Sequence, residues 1–413
     1  MINYKHTKIT CYLSYIVQGI INNFSPLLFV VFKESLGLSM IELSILITVN
    51  FSVQICVDLI SSFTIRHWGY RCCIILAQSF CAAGLLSITV LTTIMQNSFV
   101  ALIISTVIMS AGGGLLEVLV SPIFEALPRD EKSSSMNLLH SFYCWGQVAV
   151  VALSTLFFAL VSIDNWRVLP LLWALAPVIT LICFTFVPLR QLEGDICSNH
   201  RFSLLAKNKS FWFMIIIMLC AGAVELAMAQ WASIFCEISL NIPKTLGDLV
   251  GPCAFAVFMG IGRVIFGKSK PKRIDKWISI SFAGCFISYI ITAFSPHPII
   301  SLFGFALCGL SVSILWPGTY IMGAEELHQG GSLMFALFAF SGDIGCVVGP
   351  DLVGIVSEAT QDNNISVICS IFNGTSAEIS MKIGFLIASI IPAIGFIISI
   401  LLIKTRNKRH NRK

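Results

Sequence analysis

The stretch CCIILAQSFCAAGLLSITVLTTIMQNSFVALIISTVIMSAGGGLL, Cys72–Leu116, contains no charged side chain. As one helix rising about 1.5 Å per residue, it would be roughly twice as long as a bilayer crossing of about 20 residues requires. The polar run Gln96-Asn97-Ser98 near its middle therefore predicts a turn between two membrane-spanning helices. The stretch thus indicates a helical protein whose main solvent is lipid.

The composition of the whole chain points the same way. Of its 413 residues, 56% are hydrophobic and 11% are charged, and the mean hydropathy is +0.88. Soluble domains carry about 25% charged residues, so this composition cannot form a soluble surface. The apolar run after the opening MINYKHTKIT has no small-residue cleavage site and predicts a retained first span rather than a signal peptide.

Apolar helical runs predict twelve membrane spans, divided six and six by the polar segment at 190–210. The fold class predicted is therefore an all-α membrane protein made of two pseudo-symmetric six-helix bundles. Its predicted parts are a first bundle at 1–190, a cytoplasmic linker at 191–210, a second bundle at 211–404 and a basic cytoplasmic tail at 405–413. The runs lie at 9–32, 41–62, 72–95, 99–126, 136–162, 166–188, 211–236, 249–267, 277–295, 298–322, 331–357 and 382–403.

The placement of basic residues supports this number of spans. With both termini in the cytoplasm, all but four of the 26 Lys and Arg residues fall on the cytoplasmic side, as the positive-inside rule expects. Arg263, in the 249–267 run, is counted among these cytoplasmic charges. The net charge of +5 therefore concerns orientation and anionic lipid, and it gives no sign of nucleic-acid binding. The four exceptions are Lys33, Arg167, Lys244 and Lys382.

The two halves also repeat a few residues at corresponding places. Such a pattern is typical of transporters that were built by duplication and bind their solute near the membrane midplane. Gly19 and Asn22 in the first half match Gly222 and Glu225 in the second. In the same way, Gly114 and Pro122 match Gly309 and Pro317, and Gly146-Gln147 matches Gly342-Asp343.

Polar or aromatic side chains at helical spacing mark one face of six predicted spans, the first, fourth, fifth, seventh, tenth and eleventh. Charged groups at bilayer depth normally face the interior of a helix bundle. We therefore predict that these six spans line a central polar cavity, while the others act as scaffold. The candidate solute-binding residues are Gln18, Asn22, Asn23, Tyr143, Gln147, Glu225, Gln230, Trp231, Trp316 and Asp343.

Several of these polar residues have two interpretations that the sequence leaves open. Glu117 can load and release a proton as a cavity alternates between wet and dry states, or it can simply hold facing helices together. His140 is either a proton relay or a structural histidine. Glu125, beside LPRDEK, is interpreted as a gating charge or an interface charge.

The same ambiguity applies to the second half. Glu225 and Asp343 are each either solute-binding residues or members of structural pairs. Trp231 and Trp316 suit stacking on a sugar ring, but tryptophan equally serves in packing and at the membrane interface.

No motif calls for a cofactor. GRVIFGKS, Gly262–Ser269, matches the phosphate-loop pattern, but an apolar span precedes it where a strand is needed. The fifteen cysteines lie mostly within apolar runs and form neither a CxxC nor a Cys/His cluster. We therefore predict neither a metal nor any other cofactor.

Twelve spans in two similar halves, with the basic segment RHWGYR between the second and third, resemble the major facilitator superfamily. The family pattern in this loop is G-x-x-x-D-R-x-G-R-[RK]. Gly69 and Arg71 match it, whereas Ser62, Arg66 and His67 depart from it. The resemblance implies a cytoplasmic charge latch. Its candidate gating residues here are Asp58, Arg66 and Arg71, together with Glu125.

Within the superfamily, the chain resembles the fucose/glucose permease-like branch. The shared features are Glu225 followed six residues later by Trp231, the glutamate Glu117 in the fourth span, and the Trp316-Pro317 pair in the tenth. Proton-coupled members pair the fourth-span glutamate with an aspartate in the first span, where this chain has Asn22 or Asn23.

Together these observations predict a secondary active transporter in the cell membrane that moves a small polar solute, preferably a sugar, with protons as the coupling ion. Its expected partners are that solute, protons and membrane lipid, and it is expected to act as a monomer. A drug or metabolite exporter on the same fold is the alternative. An intramembrane enzyme is disfavoured because G-x-G-D, G-x-S-x-G and H-E-x-x-H patterns are absent, and a sensor because no loop can supply a soluble domain.

Overall fold

The computed structural model contains only helices, turns and irregular segments in the part of the chain that it describes. In that part, ten helical stretches are long and apolar enough to cross a membrane. The described residues are 3–38, 40–128, 136–190, 201–240, 247, 249–269, 271–295, 297–327, 330–362 and 376–410.

The chain divides into two compact units. The first consists of Met1–Leu204 with His328–Phe340, and the second of Leu205–Leu327 with Ser341–Lys413.

The helices of the first part of the chain are α1 Tyr4–Leu27, α2 Phe29–Leu36, α3 Met40–Ile94, α4 Ser98–Glu125, α5 Met136–Val161, α6 Val168–Phe186 and α7 Arg201–Ala206. The first unit is built mainly from α1 and α3 to α6. Helix α1 packs against α4 and α5, and α3 packs against α4 and α6.

Polar side chains explain why α1 is not among the ten apolar stretches, although it occupies the predicted first span. Gln18, Asn22 and Asn23 interrupt its hydrocarbon surface. Its start is fixed by a capping box, in which the side chain of Asn3 accepts a hydrogen bond from the backbone while His6 reciprocates. The second predicted span corresponds to a shorter apolar stretch, Ile45–Ser61, within α3.

One glycine separates the second and third predicted spans. Helix α3 runs from Met40 to Ile94, but Gly69 within it has φ 72° and ψ 164°. This left-handed backbone angle is accessible to glycine and strained for other residues. The segment RHWGYR, which the sequence places between the two spans, therefore turns at its glycine.

The helices of the second part of the chain are α8 Lys209–Leu240, α9 Ala254–Ser269, α10 Ile274–Phe294, α11 Pro298–Val312, α12 Leu315–Glu326, α13 Gly331–Asp362, α14 Ser376–Ala388 and α15 Ile390–His410. Helix α8 packs against α11, α12 and α15. Helix α10 also contacts α11, α14 and α15, and a π-helical turn, Leu249–Cys253, leads into α9.

Glycines bring corresponding helix pairs into direct backbone contact in both units. A Cβ built on Gly19 of α1 would lie 3.2 Å from the Cα of Gly146 in α5. In the second unit, a Cβ on Gly222 of α8 would overlap the carbonyl oxygen of Gly342 in α13. These are the glycines that the sequence matched between the halves, so the internal repeat is visible in the packing of each unit.

Large apolar side chains remain exposed on the outer helix faces. Leu160, Phe186 and Ile94 are examples, each more than half exposed. In water such a surface would be unfavourable, but in a membrane these side chains contact lipid tails.

Candidate functional site

A buried polar contact of the first unit joins α1 to α4. Nε2 of Gln18 donates a hydrogen bond of 2.7 Å to Oε2 of Glu117. Only 3% of Gln18 and 9% of Glu117 is exposed. Among the described residues, Oε1 of Gln18 has no hydrogen-bond partner. The pair therefore holds a carboxylate inside the bundle and leaves one buried acceptor available.

One helical turn along, a second cluster connects the same two helices to α5. The hydroxyl oxygens of Tyr15 and Ser121 lie 2.7 Å apart, and Nε2 of His140 lies 3.0 Å from the former and 3.4 Å from the latter. Tyr15 precedes Gln18 by three residues and Ser121 follows Glu117 by four, so the two clusters occupy adjacent turns.

Amide side chains line the other side of the Gln18–Glu117 pair. Oδ1 of Asn22 accepts a hydrogen bond of 3.3 Å from Nε2 of Gln54 in α3. Nδ2 of Asn23 donates to the carbonyl of Gly19 at 2.8 Å and to the hydroxyl of Tyr143 at 3.4 Å. These groups offer both donors and acceptors for a hydroxylated ligand.

The structure thus brings most of the candidates of the first half to one seam between α1, α4 and α5. Gln147 also lies there, buried next to α1, because a Cβ on Gly19 would be 3.1 Å from its backbone nitrogen. Sequence reasoning did not identify Tyr15 as a member of this seam, or Gln54 of α3 as the hydrogen-bond donor to Asn22. Helical spacing from Gln18 could have suggested Tyr15, whereas Gln54 comes from a different helix.

The second unit contains a buried ion pair. A terminal guanidinium nitrogen of Arg263, in α9, lies 3.5 Å from Oε2 of Glu225 in α8. Nε of Arg263 donates to the backbone carbonyl of Ser313 at 3.3 Å.

Arg263, which the sequence analysis counts among the cytoplasmic charges, is buried within the second unit, with only 2% of the residue exposed. Sequence reasoning did not predict this burial, since Arg263 lies near the end of an apolar run. The useful signal was a basic residue inside such a run, which needs a buried partner.

The remaining candidates of the second unit lie on α8, α12 and α13. Nε1 of Trp231 donates to the carbonyl of Pro350 at 3.0 Å, so its indole bridges α8 and α13, while Gln230 beside it is half-buried. Asp343 is buried on α13. Trp316 is 8% exposed and packs on Gly342, and its Nε1 has no hydrogen-bond partner among the described residues.

The candidate gating residues are spread over several places in the first unit. Asp58 is buried in α3, and Glu125 is half-buried at the end of α4. Arg71 is exposed, and its guanidinium donates to the carbonyls of Phe184, Thr185 and Val187, each at 2.8 Å. It therefore caps the C-terminal end of α6, where carbonyl groups lack helical partners. The side chain of Arg66 lies outside the described part of the structure.

Within the described residues, no group of three or more His, Cys, Asp or Glu side chains could hold a metal ion.

The chain belongs to the major facilitator superfamily, because the model of that family matches residues 11–350. The protein is accordingly a multi-pass membrane transporter. A search by sequence among characterised proteins finds no significant match.

Solved structures of this superfamily resemble the whole chain. FucP in the outward conformation has a TM-score of 0.75 at 16% identity, over 96% of this chain and 98% of that one. A variant of the E. coli fucose:proton symporter FucP gives 0.72 at 15% identity, over 96% and 99% of the two chains. The proton:xylose symporter XylE, bound to 6-bromo-6-deoxy-D-glucose, gives 0.70 at 14%, over 94% of each. The predicted all-α major facilitator fold is confirmed.

Proposed function

We propose that this protein is a secondary active transporter that moves a small sugar across the cell membrane, in symport with protons, by alternating access. It acts as a monomer with both termini in the cytoplasm. The first bundle (1–190) and the second (211–404) are the two moving parts, joined by the linker at 191–210, and the tail at 405–413 is basic.

The hydrogen bond between Gln18 and Glu117 carries the proposal. Its donor is a neutral amide. When the carboxylate of Glu117 gains a proton, this contact therefore leaves no partner charge buried and uncompensated. His140 lies about one turn away, within hydrogen-bond distance of Tyr15 and Ser121, whose hydroxyls can both donate and accept hydrogen bonds. Glu117 is the proton-coupling residue in this proposal, and His140 is the relay.

The neighbouring groups support a hydroxylated solute. Asn22, Asn23 and Tyr143 present amide and hydroxyl groups at the seam, and Gln18 has an unmatched buried acceptor. In the second unit, Trp316 has an unmatched buried donor. Within either unit, the hydroxyls of a sugar can satisfy groups of this kind. The structural resemblance to symporters of fucose and xylose favours the same class of solute.

The test is uptake of labelled fucose, xylose and glucose by the purified protein in proteoliposomes with an imposed proton gradient. The wild-type protein is expected to accumulate one of these sugars. Glu117→Gln is expected to abolish accumulation and to retain counterflow exchange, because the solute site remains while the proton carrier is lost. Asp164→Asn removes an exposed carboxylate and serves as the matched control, which keeps both activities.

Two results would contradict the proposal. Accumulation by Glu117→Gln at the wild-type level would remove the proton role of this residue. Thermal stabilisation of the protein by lipophilic cations, with none by sugars, would instead favour the exporter.

A further inference from the structure

The tenth predicted span is divided into two helices at Ser313 and Ile314, shortly before Pro317, and this interruption is called the bend below. Helix α11 ends at Val312 and α12 begins at Leu315. Pro317 has no backbone N–H and cannot donate to the carbonyl four residues earlier, which belongs to Ser313. In a membrane, a backbone carbonyl that has lost its helical donor needs another partner.

Arg263 supplies that partner. Its Nε donates to the carbonyl of Ser313 at 3.3 Å. The preceding residue, Gly262, lets α9 approach the bend closely, since a Cβ there would lie 2.7 Å from the Cβ of Ser313. The guanidinium therefore sits directly against the interruption between α11 and α12.

The same guanidinium also faces Glu225. One of its terminal nitrogens is 3.5 Å from Oε2 of this carboxylate, and no hydrogen bond from a described residue reaches that oxygen. The side chains of Arg263 and Glu225 are 3% and 8% exposed. One buried cation thus serves both a freed backbone carbonyl and a carboxylate that the sequence analysis names as a candidate solute-binding residue.

We infer that Arg263 is a positioning residue that sets the bend between α11 and α12, and that Glu225 controls it. When a sugar hydroxyl or a proton engages Glu225, the attraction on the guanidinium weakens, Arg263 reorients, and the carbonyl of Ser313 loses its donor. The bend then becomes free to move. This inference rests on the proposed function for the identity of the solute, but the mechanical link between Glu225, Arg263 and Ser313 does not.

Hydrogen–deuterium exchange of the full-length protein in nanodiscs, followed on peptides that cover the bend at 310–320, tests the mechanical link. Glu225→Gln and Arg263→Lys are expected to raise exchange there about tenfold, which is the change that one hydrogen bond to a charged group supports. Arg273→Lys is the control, because Arg273 is 46% exposed and pairs with Asp275 elsewhere in the unit, away from Ser313.

Pro317→Ala separates a role at the bend from a general structural role. Alanine restores the N–H that the carbonyl of Ser313 lacks, so Arg263→Lys should add no further exchange in this background.

If Glu225→Gln and Arg263→Lys leave exchange at the control level, the inference is overturned. An equal rise in the Pro317→Ala background overturns it as well, because Arg263 would then act elsewhere. Should a single variant fail to fold, Glu225→Gln with Arg263→Gln removes both charges and is expected to show the same rise.

The link to the solute is measured separately. Fucose, xylose or glucose, whichever stabilises the protein, should raise exchange at 310–320 in the wild type and leave it unchanged in Glu225→Gln. Arg263→Lys should lower the turnover of transport more than it changes KM. A sugar that is bound and transported without any change at the bend overturns the solute link while leaving sugar transport intact. Failure of all three sugars to bind would count against the proposed function, and the exchange of the variants would still decide the mechanical link.

Discussion

The two units share their backbone contacts but differ in their buried charges. In the first unit, Gly19 lies against α5, and in the second, Gly222 lies against α13 in the same manner. Yet Glu117 accepts a hydrogen bond from the neutral Gln18, whereas Glu225 faces the cation of Arg263. The repeated glycines preserve how the helices pack, while the polar residues between them have diverged. Similar helix packing can therefore carry two different polar contacts, a hydrogen bond between an amide and a carboxylate in one unit and a buried ion pair in the other.

The prolines matched between the halves show the same divergence. Helix α4 continues through Pro122 to Glu125, whereas the corresponding span of the second unit is interrupted two residues before Trp316-Pro317. The interruption is the place where Arg263 meets the backbone. Matching residues in sequence thus give different local structures, because a buried cation is available in only one of the two described contacts.

The largest effect on stability is expected from removing the buried cation of Arg263. Arg263→Met leaves Glu225 buried without its charge partner, which typically destabilises a protein by about 3–5 kcal/mol. Unfolding of the detergent-solubilised protein measures the loss. Arg263→Met combined with Glu225→Met should regain most of it, because no uncompensated charge remains. A double variant as unstable as the single one would show that the pair does not account for the loss.

In the first unit, removing the hydrogen-bond donor to the buried carboxylate should lower the free energy of unfolding by a smaller amount. Gln18→Leu removes the neutral donor to Glu117, and a hydrogen bond to a charged group is worth about 1.5–3 kcal/mol. The same unfolding measurement applies, with Gln230→Leu at a half-buried site as the control. A loss equal to that of Arg263→Met would erase the contrast between the units.

The shared glycines should respond alike. In Gly19→Ala and Gly222→Ala, the new Cβ overlaps a backbone carbonyl of the facing helix, that of Tyr143 or Gly342. Overpacking of this kind costs about 1–3 kcal/mol, and we expect similar losses in both units. Gly318→Ala is the control, because its nearest neighbours are side-chain atoms at 3.1 Å or more. Strongly unequal losses would mean that the two helix contacts are not equivalent.

The smallest effect on stability is expected from removing the cap that the guanidinium of Arg71 forms on the C-terminal end of α6 in the first unit. Arg71→Gln removes a cation from the C-terminal end of a helix, which at an exposed site is worth about 0.3–1 kcal/mol. The loss should shrink in high salt, and Lys276→Gln, at another exposed site, should show none. A large loss of transport with unchanged stability would instead support the latch that the family pattern implies for this loop.

The polar seam of the first unit was predictable to a useful degree. Glu117, Gln18 and Asn22 stand out in apolar runs, and helical spacing places them on faces that cannot meet lipid. The partners Tyr15 and Gln54 were not predicted, because hydroxyl and amide groups occur on many faces of these helices. The burial of Arg263 against Glu225 was not predicted either, since Arg263 was counted only as a cytoplasmic charge near the end of a run.

The sequence by itself determined the class of the protein, the approximate positions of its spans and the fact that buried carboxylates face the bundle interior. These follow from local rules, namely hydropathy, helical period and the cost of charge in lipid. Only the tertiary structure decided which group each carboxylate meets. A partner such as Arg263 for Glu225 comes from a different helix, and its distance depends on how closely glycines such as Gly262 let the helices approach.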